Sequence, residues 1–150
     1  GHERVVELLL VAFECLYSGE TVSGMTLLML AMADGREGLA EALLQRDADL
    51  SLQTSDGVTP LMGAAGNGHE KLVELALRHG AEIDQKNSDG GTALMAAVYQ
   101  GHEGVVDTLI RHGAEINLQS SNGSSALMLA AQEGHERVVE LLLQRGAEIN

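Results

Sequence analysis

Tryptophan is absent from this chain of 150 residues, and cysteine and proline occur once each. A single thiol, Cys15, cannot close an internal disulfide, so no cross-link stabilises the fold, and a reducing intracellular setting, cytoplasmic or nuclear, is expected. Aromatic residues make up only 2% of the chain, so each one stands out. Basic residues are scarce as well: 9 Lys and Arg face 22 Asp and Glu, a formal net charge of −13, with acids in excess in both halves. Such a field repels phosphate, which makes DNA, RNA and anionic membranes poor partners. Long apolar runs are also missing. Leu8 to Phe13 and Met25 to Ala33 are bounded by Glu7, Glu14 and Asp34, well short of the roughly 20 residues that span a bilayer. Neither a transmembrane nor a secretory segment is read from the chain.

What is present is a hydrophobic fraction of 45% and a repeat. That fraction is enough to bury the core of one ordered domain, which excludes a disordered acidic tail. Residues 1–10 read GHERVVELLL and residues 134–143 read the same, with related copies starting at Gly35, Gly68 and Gly101, so the period is 33 with one interval of 34. An exact spacing of this kind marks a stacked array.

Each period carries two helical patterns. In the second, Leu72, Val73, Leu75, Ala76 and Leu77 recur at helical spacing while Glu70, Glu74 and Arg78 share the opposite face, an amphipathic helix of about three turns. Acids open these helices (Glu70, Glu103, Glu136), bases close them (Arg78 and His79, Arg111 and His112, Arg145), and Gly80, Gly113 and Gly146 follow as left-handed stops. The first helix of each period starts at a capping hydroxyl, Thr59, Thr92 or Ser125, and runs through small residues such as Ala64, Ala65, Ala97, Ala130 and Ala131, which permit close helix approach. Between periods, Ser55-Asp56-Gly57, Ser88-Asp89-Gly90 and Ser121-Asn122-Gly123 read as turn tips.

These residues resemble the ankyrin repeat over nearly the whole chain. The family pattern is matched by Gly57, Thr59, Pro60, Leu61, Ala64, Ala65, Gly68, His69, Val73, Leu75, Gly80, Ala81 and Asp84. The resemblance implies an all-α solenoid of stacked helix pairs linked by β-hairpin fingers, with about four repeats and one N-terminal orphan helix. One domain over 1–150 is expected: a partial repeat with a long helix at 1–20, an irregular repeat at 21–53, and repeats at 54–86, 87–119 and 120–150. Three departures stand out. Met29, Met62, Met95 and Met128 replace the family's histidine at the helix start, so thioether packing is expected in place of a polar tie. Residues 11–25 lack a proper finger, and the apolar stripe Val6, Leu9, Leu10, Phe13, Leu16, Tyr17 predicts a helix running to about Tyr17. Asp47 stands where the other repeats have glycine.

Catalytic chemistry finds no constellation. His2, His69, His102 and His135 form a ladder, but stacked helices sit about 8–10 Å apart, too far for ligands of one ion. Each imidazole is instead expected to tie an interhelical turn to neighbouring backbone, with His79 and His112 serving helix C-termini. Cys15 has no accompanying base motif, no G-x-S-x-G elbow occurs, and the Gly-rich stretch at Ser88 to Thr92 lacks a Walker lysine. The expectation is therefore a non-enzyme with neither cofactor nor metal.

The family resemblance implies binding of a protein partner through finger tips and the exposed ends of the first helices. The finger positions are Ser55, Asp56, Val58, Ser88, Asp89, Gly91, Ser121, Asn122 and Ser124, and the helix positions are Asn67, Tyr99, Gln100, Gln132 and Glu133. Tyr99 suits an interface anchor, and Asp56, Asp89 and Glu133 favour a partner with a basic surface. An acidic ridge on the second helices, Glu37 and Glu41, Glu70 and Glu74, Glu103 and Asp107, Glu136 and Glu140, reads as a solvated face or as a steering field. Two alternatives accompany this reading. One is a purely architectural spacer within a longer array; the other, from the resemblance, is asparagine hydroxylation at Asn117. Neither chain end carries a polar capping repeat, so head-to-tail self-association is a further expectation.

Overall fold

A computed structural model describes His2 and residues 26–149. The orphan helix expected at 1–20 and the irregular connection through residue 25 lie outside the described residues. Eight helices are found among those described, in four pairs: α1 (Leu27–Ala33) with α2 (Glu37–Gln45), α3 (Pro60–Gly66) with α4 (Glu70–Arg78), α5 (Ala93–Gln100) with α6 (Glu103–Arg111), and α7 (Ala126–Glu133) with α8 (Glu136–Gln144). First helices pack on first helices and second on second along the array, and each pair packs internally.

The first helices start where the capping chemistry requires. Thr26, Thr59, Thr92 and Ser125 hold extended backbone, and their hydroxyls accept the amides of Met29, Met62, Met95 and Met128 at 3.2, 3.2, 3.3 and 3.3 Å. At α1 the thioether does more than pack, because the Thr26 amide donates to Met29 Sδ at 3.4 Å and closes a capping box. The polar tie expected to be lost is therefore kept there by sulfur. Thr59 is buried, so Thr59→Ala is expected to destabilise the protein by about 1 kcal/mol in a urea titration. Thr59→Ser, which keeps the acceptor, should lose distinctly less.

Second helices end in a common device. The amides of Ala48, Ala81, Ala114 and Ala147 reach back to the carbonyls of Leu43, Ala76, Leu109 and Leu142 at 2.9–3.1 Å, a closure that needs a left-handed residue just before it. Glycine fills that place in three repeats. In the first, Asp47 adopts φ 59° and makes the same turn without glycine's freedom.

The core runs unbroken from Leu28 to Leu142, with Ala31, Ala64, Ala65, Ala97 and Ala130 fully buried between layers. Cover is thinner in the last described repeat. Met29, Met62 and Met95 are 3–6% exposed under the repeat that follows, whereas their counterpart Met128 is 39% exposed.

The fingers differ from expectation. Among the described residues they carry no strands, only an isolated antiparallel bridge between Gln119 and Ser125. Each is a tight turn closed by one pair of bonds, such as Asn87 N to Gly91 O at 2.9 Å and Gly90 N to Asn87 O at 3.0 Å. The arms pair too briefly to form a ladder, and support comes from stacking instead. Ser88 N donates to Asp56 O at 2.9 Å and Ser121 N to Asp89 O at 2.8 Å. Gln53 Nε2 and Lys86 Nζ add side-chain staples to the carbonyls of Lys86 and Gln119.

Candidate functional site

The anticipated surface is built as two rows. The first consists of the finger tips Ser55, Asp56, Ser88, Asp89, Ser121 and Asn122, all exposed. Stacking through the Asp56 and Asp89 carbonyls fixes the backbone of this row while their carboxylates face solvent. Three residues expected on the surface have other work. Val58 is half-buried against the core and donates its amide to Thr54 Oγ1. Gly91 N donates to Asn87 Oδ1 at 2.7 Å, and Ser124 N to Asn122 Oδ1 at 3.0 Å. All three close their turns from behind the tips.

The second row lies at the C-terminal ends of α3, α5 and α7. Asn67, Tyr99, Gln100, Gln132 and Glu133 are exposed there. Asn67 Nδ2 donates to Gly63 O at 2.8 Å, which fastens the end of α3. Tyr99 is 49% exposed, and its own carbonyl receives His135 Nε2 at 2.9 Å. A half-buried phenol on pinned backbone loses little entropy on binding. Because the fingers enter the first helices and the second row leaves them, the rows sit at opposite ends of those helices, about 10–12 Å apart.

The histidine ladder accounts for the spacing of this row. Nε2 of His69, His102 and His135 hydrogen-bonds the carbonyls of Ala33, Gly66 and Tyr99 at 2.9, 3.0 and 2.9 Å. A carbonyl only accepts, so Nε2 carries the proton. Each ring covers the turn glycine of the preceding repeat, and these contacts carry out the backbone tie expected from the sequence. His112 Nδ1 likewise bonds Thr108 O, at the end of α6.

On the opposite side, the acidic ridge is stitched to the following repeat. Glu70 Oε1 accepts the hydroxyl of fully buried Thr108 at 3.0 Å, and Asp107 takes Arg111 at 3.0 Å and Arg145 at 2.6 Å. A Cβ on Gly104 would come within 2.7 Å of the Glu70 carboxylate, so this glycine makes room for the contact. Sequence reading places Glu70 and Asp107 on the ridge but misses their partners in the following repeat, Thr108 and Arg145, each 38 residues away and outside the repeat register. A shallow hollow of about 240 Å³ between α2 and α4 is lined by acids and bases together, Glu37, Glu41 and Glu74 with Lys71 and Arg78. Its charges are mixed, so it offers no strong field to a ligand.

Two side chains at repeat ends are fasteners. Asp84 Oδ1 accepts the amide of Glu115 at 3.0 Å, and Asn117 Oδ1 that of Glu148 at 2.9 Å. Asn117 is exposed while doing so. In the Asp49 turn, the hydroxyl and amide of Ser51 hold the Asp49 carboxyl below its usual range. The hydroxyls of Thr59, Thr92 and Ser125 are helix caps. Cys15 lies outside the described residues. No helix among the described residues is long and apolar enough to cross a membrane.

A family model described as ankyrin repeats matches the chain in three copies, over residues 1–87, 28–120 and 61–150. No curated protein matches it.

Proposed function

The chain belongs to the ankyrin-repeat family, whose members are generally protein–protein interaction modules, and from that premise we propose that it is a non-enzymatic scaffold for a protein partner carrying a basic segment. The partner lies between the two rows, touching the finger tips on one side and Tyr99, Gln100, Gln132 and Glu133 on the other. The observation that carries this reading is Tyr99: a half-exposed aromatic ring in a chain with 2% aromatics, on backbone pinned by His135. Asp56 and Asp89 on the finger row and Glu133 on the row of Tyr99 supply complementary charge. Loss of an aromatic anchor of this kind costs about 2 kcal/mol of binding free energy or more, roughly 30-fold in affinity.

The test compares the wild-type chain with Tyr99→Ala/Glu133→Lys in affinity capture from lysate followed by mass spectrometry. Partners retained by the wild type and lost by the folded variant support the scaffold reading. Equal, salt-sensitive recovery of basic proteins by both overturns it in favour of a spacer with a general acidic field. The small serines at the tips favour that second reading, since each adds little contact area. Asn117 is the residue proposed for hydroxylation, on the ground that its side chain is exposed at a repeat end. A native peptide spanning Asn117 with no added oxygen in its mass spectrum removes that proposal.

A further inference from the structure

We propose that the boundary between α1–α2 and α3–α4 is a built-in seam, at which α1–α2 open as a unit while α3 to α8 stay folded. The three boundaries between described helix pairs share one construction, so they can be compared position by position. Each carries a histidine bond to backbone, from His69, His102 and His135 in turn. The second and third boundaries add two side-chain ties. At the repeat ends, Asp84 Oδ1 accepts the Glu115 amide at 3.0 Å and Asn117 Oδ1 accepts the Glu148 amide at 2.9 Å, each 31 residues on. Between the second helices, Glu70 accepts the Thr108 hydroxyl at 3.0 Å and Asp107 takes Arg145 at 2.6 Å.

The first boundary has neither tie. Ser51 stands in register with Asp84 and Asn117, but its hydroxyl and its amide both donate to Asp49 Oδ1. The amide of Glu82, 31 residues on, has no acceptor among the described residues. Between α2 and α4, Leu75 occupies the place of Thr108 and has no hydroxyl to give Glu37. Glu37 meets Lys71 Nζ at 4.0 Å instead, with both side chains mostly in solvent, an ion pair that contributes little. The hollow of about 240 Å³ lies at this same place, lined by Glu37, Leu75 and Arg78 among others. A separate observation concerns α2 itself. Its closing turn is made by Asp47 at φ 59°, where the later second helices have glycine, so α2 ends in a conformation that costs a residue with a Cβ. What holds the boundary is the His69 bond, the Gln53 staple to Lys86 O and apolar packing. In a stacked array stability is carried by units and their neighbour interfaces, so the boundary with the fewest ties sets where the array opens first. The proposed recognition surface, from Ser55 to Glu133, lies wholly beyond the seam, so it stays intact when α1–α2 open.

Residue-resolved hydrogen exchange of the native 150-residue chain tests this. In the wild type the helix amides of α1 and α2 are expected to exchange at least about tenfold faster than those of α6, and the Glu82 amide to exchange fast while that of Glu115 is protected. Ser51→Asn gives this boundary the acceptor that Asn117 gives the third. It should protect the Glu82 amide and slow exchange in α1 and α2 about three- to tenfold. Ser51→Ala, which removes the hydroxyl and adds no acceptor, should slow nothing. Circular dichroism confirms that each variant is folded. Equal protection of α1–α2 and α6 in the wild type overturns the inference. So does a fast-exchanging α1–α2 that Ser51→Asn leaves unchanged, since the missing ties are then not the cause. The readout involves no partner, so either failure leaves the scaffold reading untouched.

Discussion

Leu109→Ala is expected to lower the unfolding free energy by about 2–5 kcal/mol, the usual range for truncating a buried leucine. Leu109 is fully buried in α6, an interior second helix with a helix pair on either side. Its removal loses contact within its own pair and leaves a void that the neighbouring repeats, themselves tightly packed through Ala64 and Ala130, cannot collapse to fill. In a stacked array each repeat contacts only its neighbours, so stability is the sum of unit and interface terms. A defect at α6 weakens the coupling between the α3–α4 side of the array and α7–α8. The urea transition followed by circular dichroism should therefore move to lower concentration and also become broader, as a terminal block begins to unfold on its own. Leu143→Ala is the control. That residue is 42% exposed on α8, and its truncation should cost less than about 1 kcal/mol. If the two variants lose equal stability, the description of the protein as neighbour-coupled repeats is wrong.

The features legible in the sequence were those the repeat copies at constant spacing. Thr59, Thr92 and Ser125 meet the same local surroundings one period apart, so the cap read at one of them held at all three. The histidine ties and the left-handed stops at Gly80, Gly113 and Gly146 were readable for the same reason. Contacts that depend on departures from the repeat were not. Glu70 reaches Thr108 because Gly104 leaves space and because a hydroxyl stands where the preceding repeat has Leu75, and periodicity alone cannot pair two such exceptions. The finger sequences encode their turns, through Ser-Asp-Gly and Ser-Asn-Gly, but not the length of their arms, so the resemblance implies strands where only one pair of closing bonds forms in each finger. Within the candidate site, spacing separated fingers from helices but did not separate tips from turn-closing residues. Asp56 and Asp89 are exposed while Val58, Gly91 and Ser124 sit half-buried just behind the tips.

This division bears on how the scaffold tolerates variation. The finger rail is held by backbone bonds from Ser88 and Ser121, and the second row by histidine bonds to backbone carbonyls. Neither set uses the outward side chains of Asp56, Asp89 or Tyr99. A change in those side chains alters what the surface recognises while the spine keeps its hydrogen bonds, which separates binding from folding energetically.

The spine itself should respond sharply to substitution at its turn glycines, and one pair separates two causes. Gly68 and Gly134 occupy equivalent turns with φ of 77° and 74°. Alanine at either pays the left-handed penalty, about 1–2 kcal/mol. At Gly134 a new Cβ meets nothing within 4 Å, so that penalty is the whole expected loss. At Gly68 the Cβ would stand 2.7 Å from His102 Nδ1, well inside contact distance. The ring has to move, and its part-buried bond to Gly66 O at 3.0 Å stretches or breaks. Leaving that carbonyl without its donor adds about 1–3 kcal/mol. Gly68→Ala is therefore expected to lose about 2–5 kcal/mol in all, and Gly134→Ala distinctly less, in parallel urea titrations. Adding His102→Ala to each should resolve the cause. With the ring gone, the clash at residue 68 disappears, so the second substitution is less damaging in the Gly68→Ala background than in wild type, and additive in the Gly134→Ala background. Equal losses from the two glycine variants, or additivity in both backgrounds, would show that the imidazole does not brace the turn.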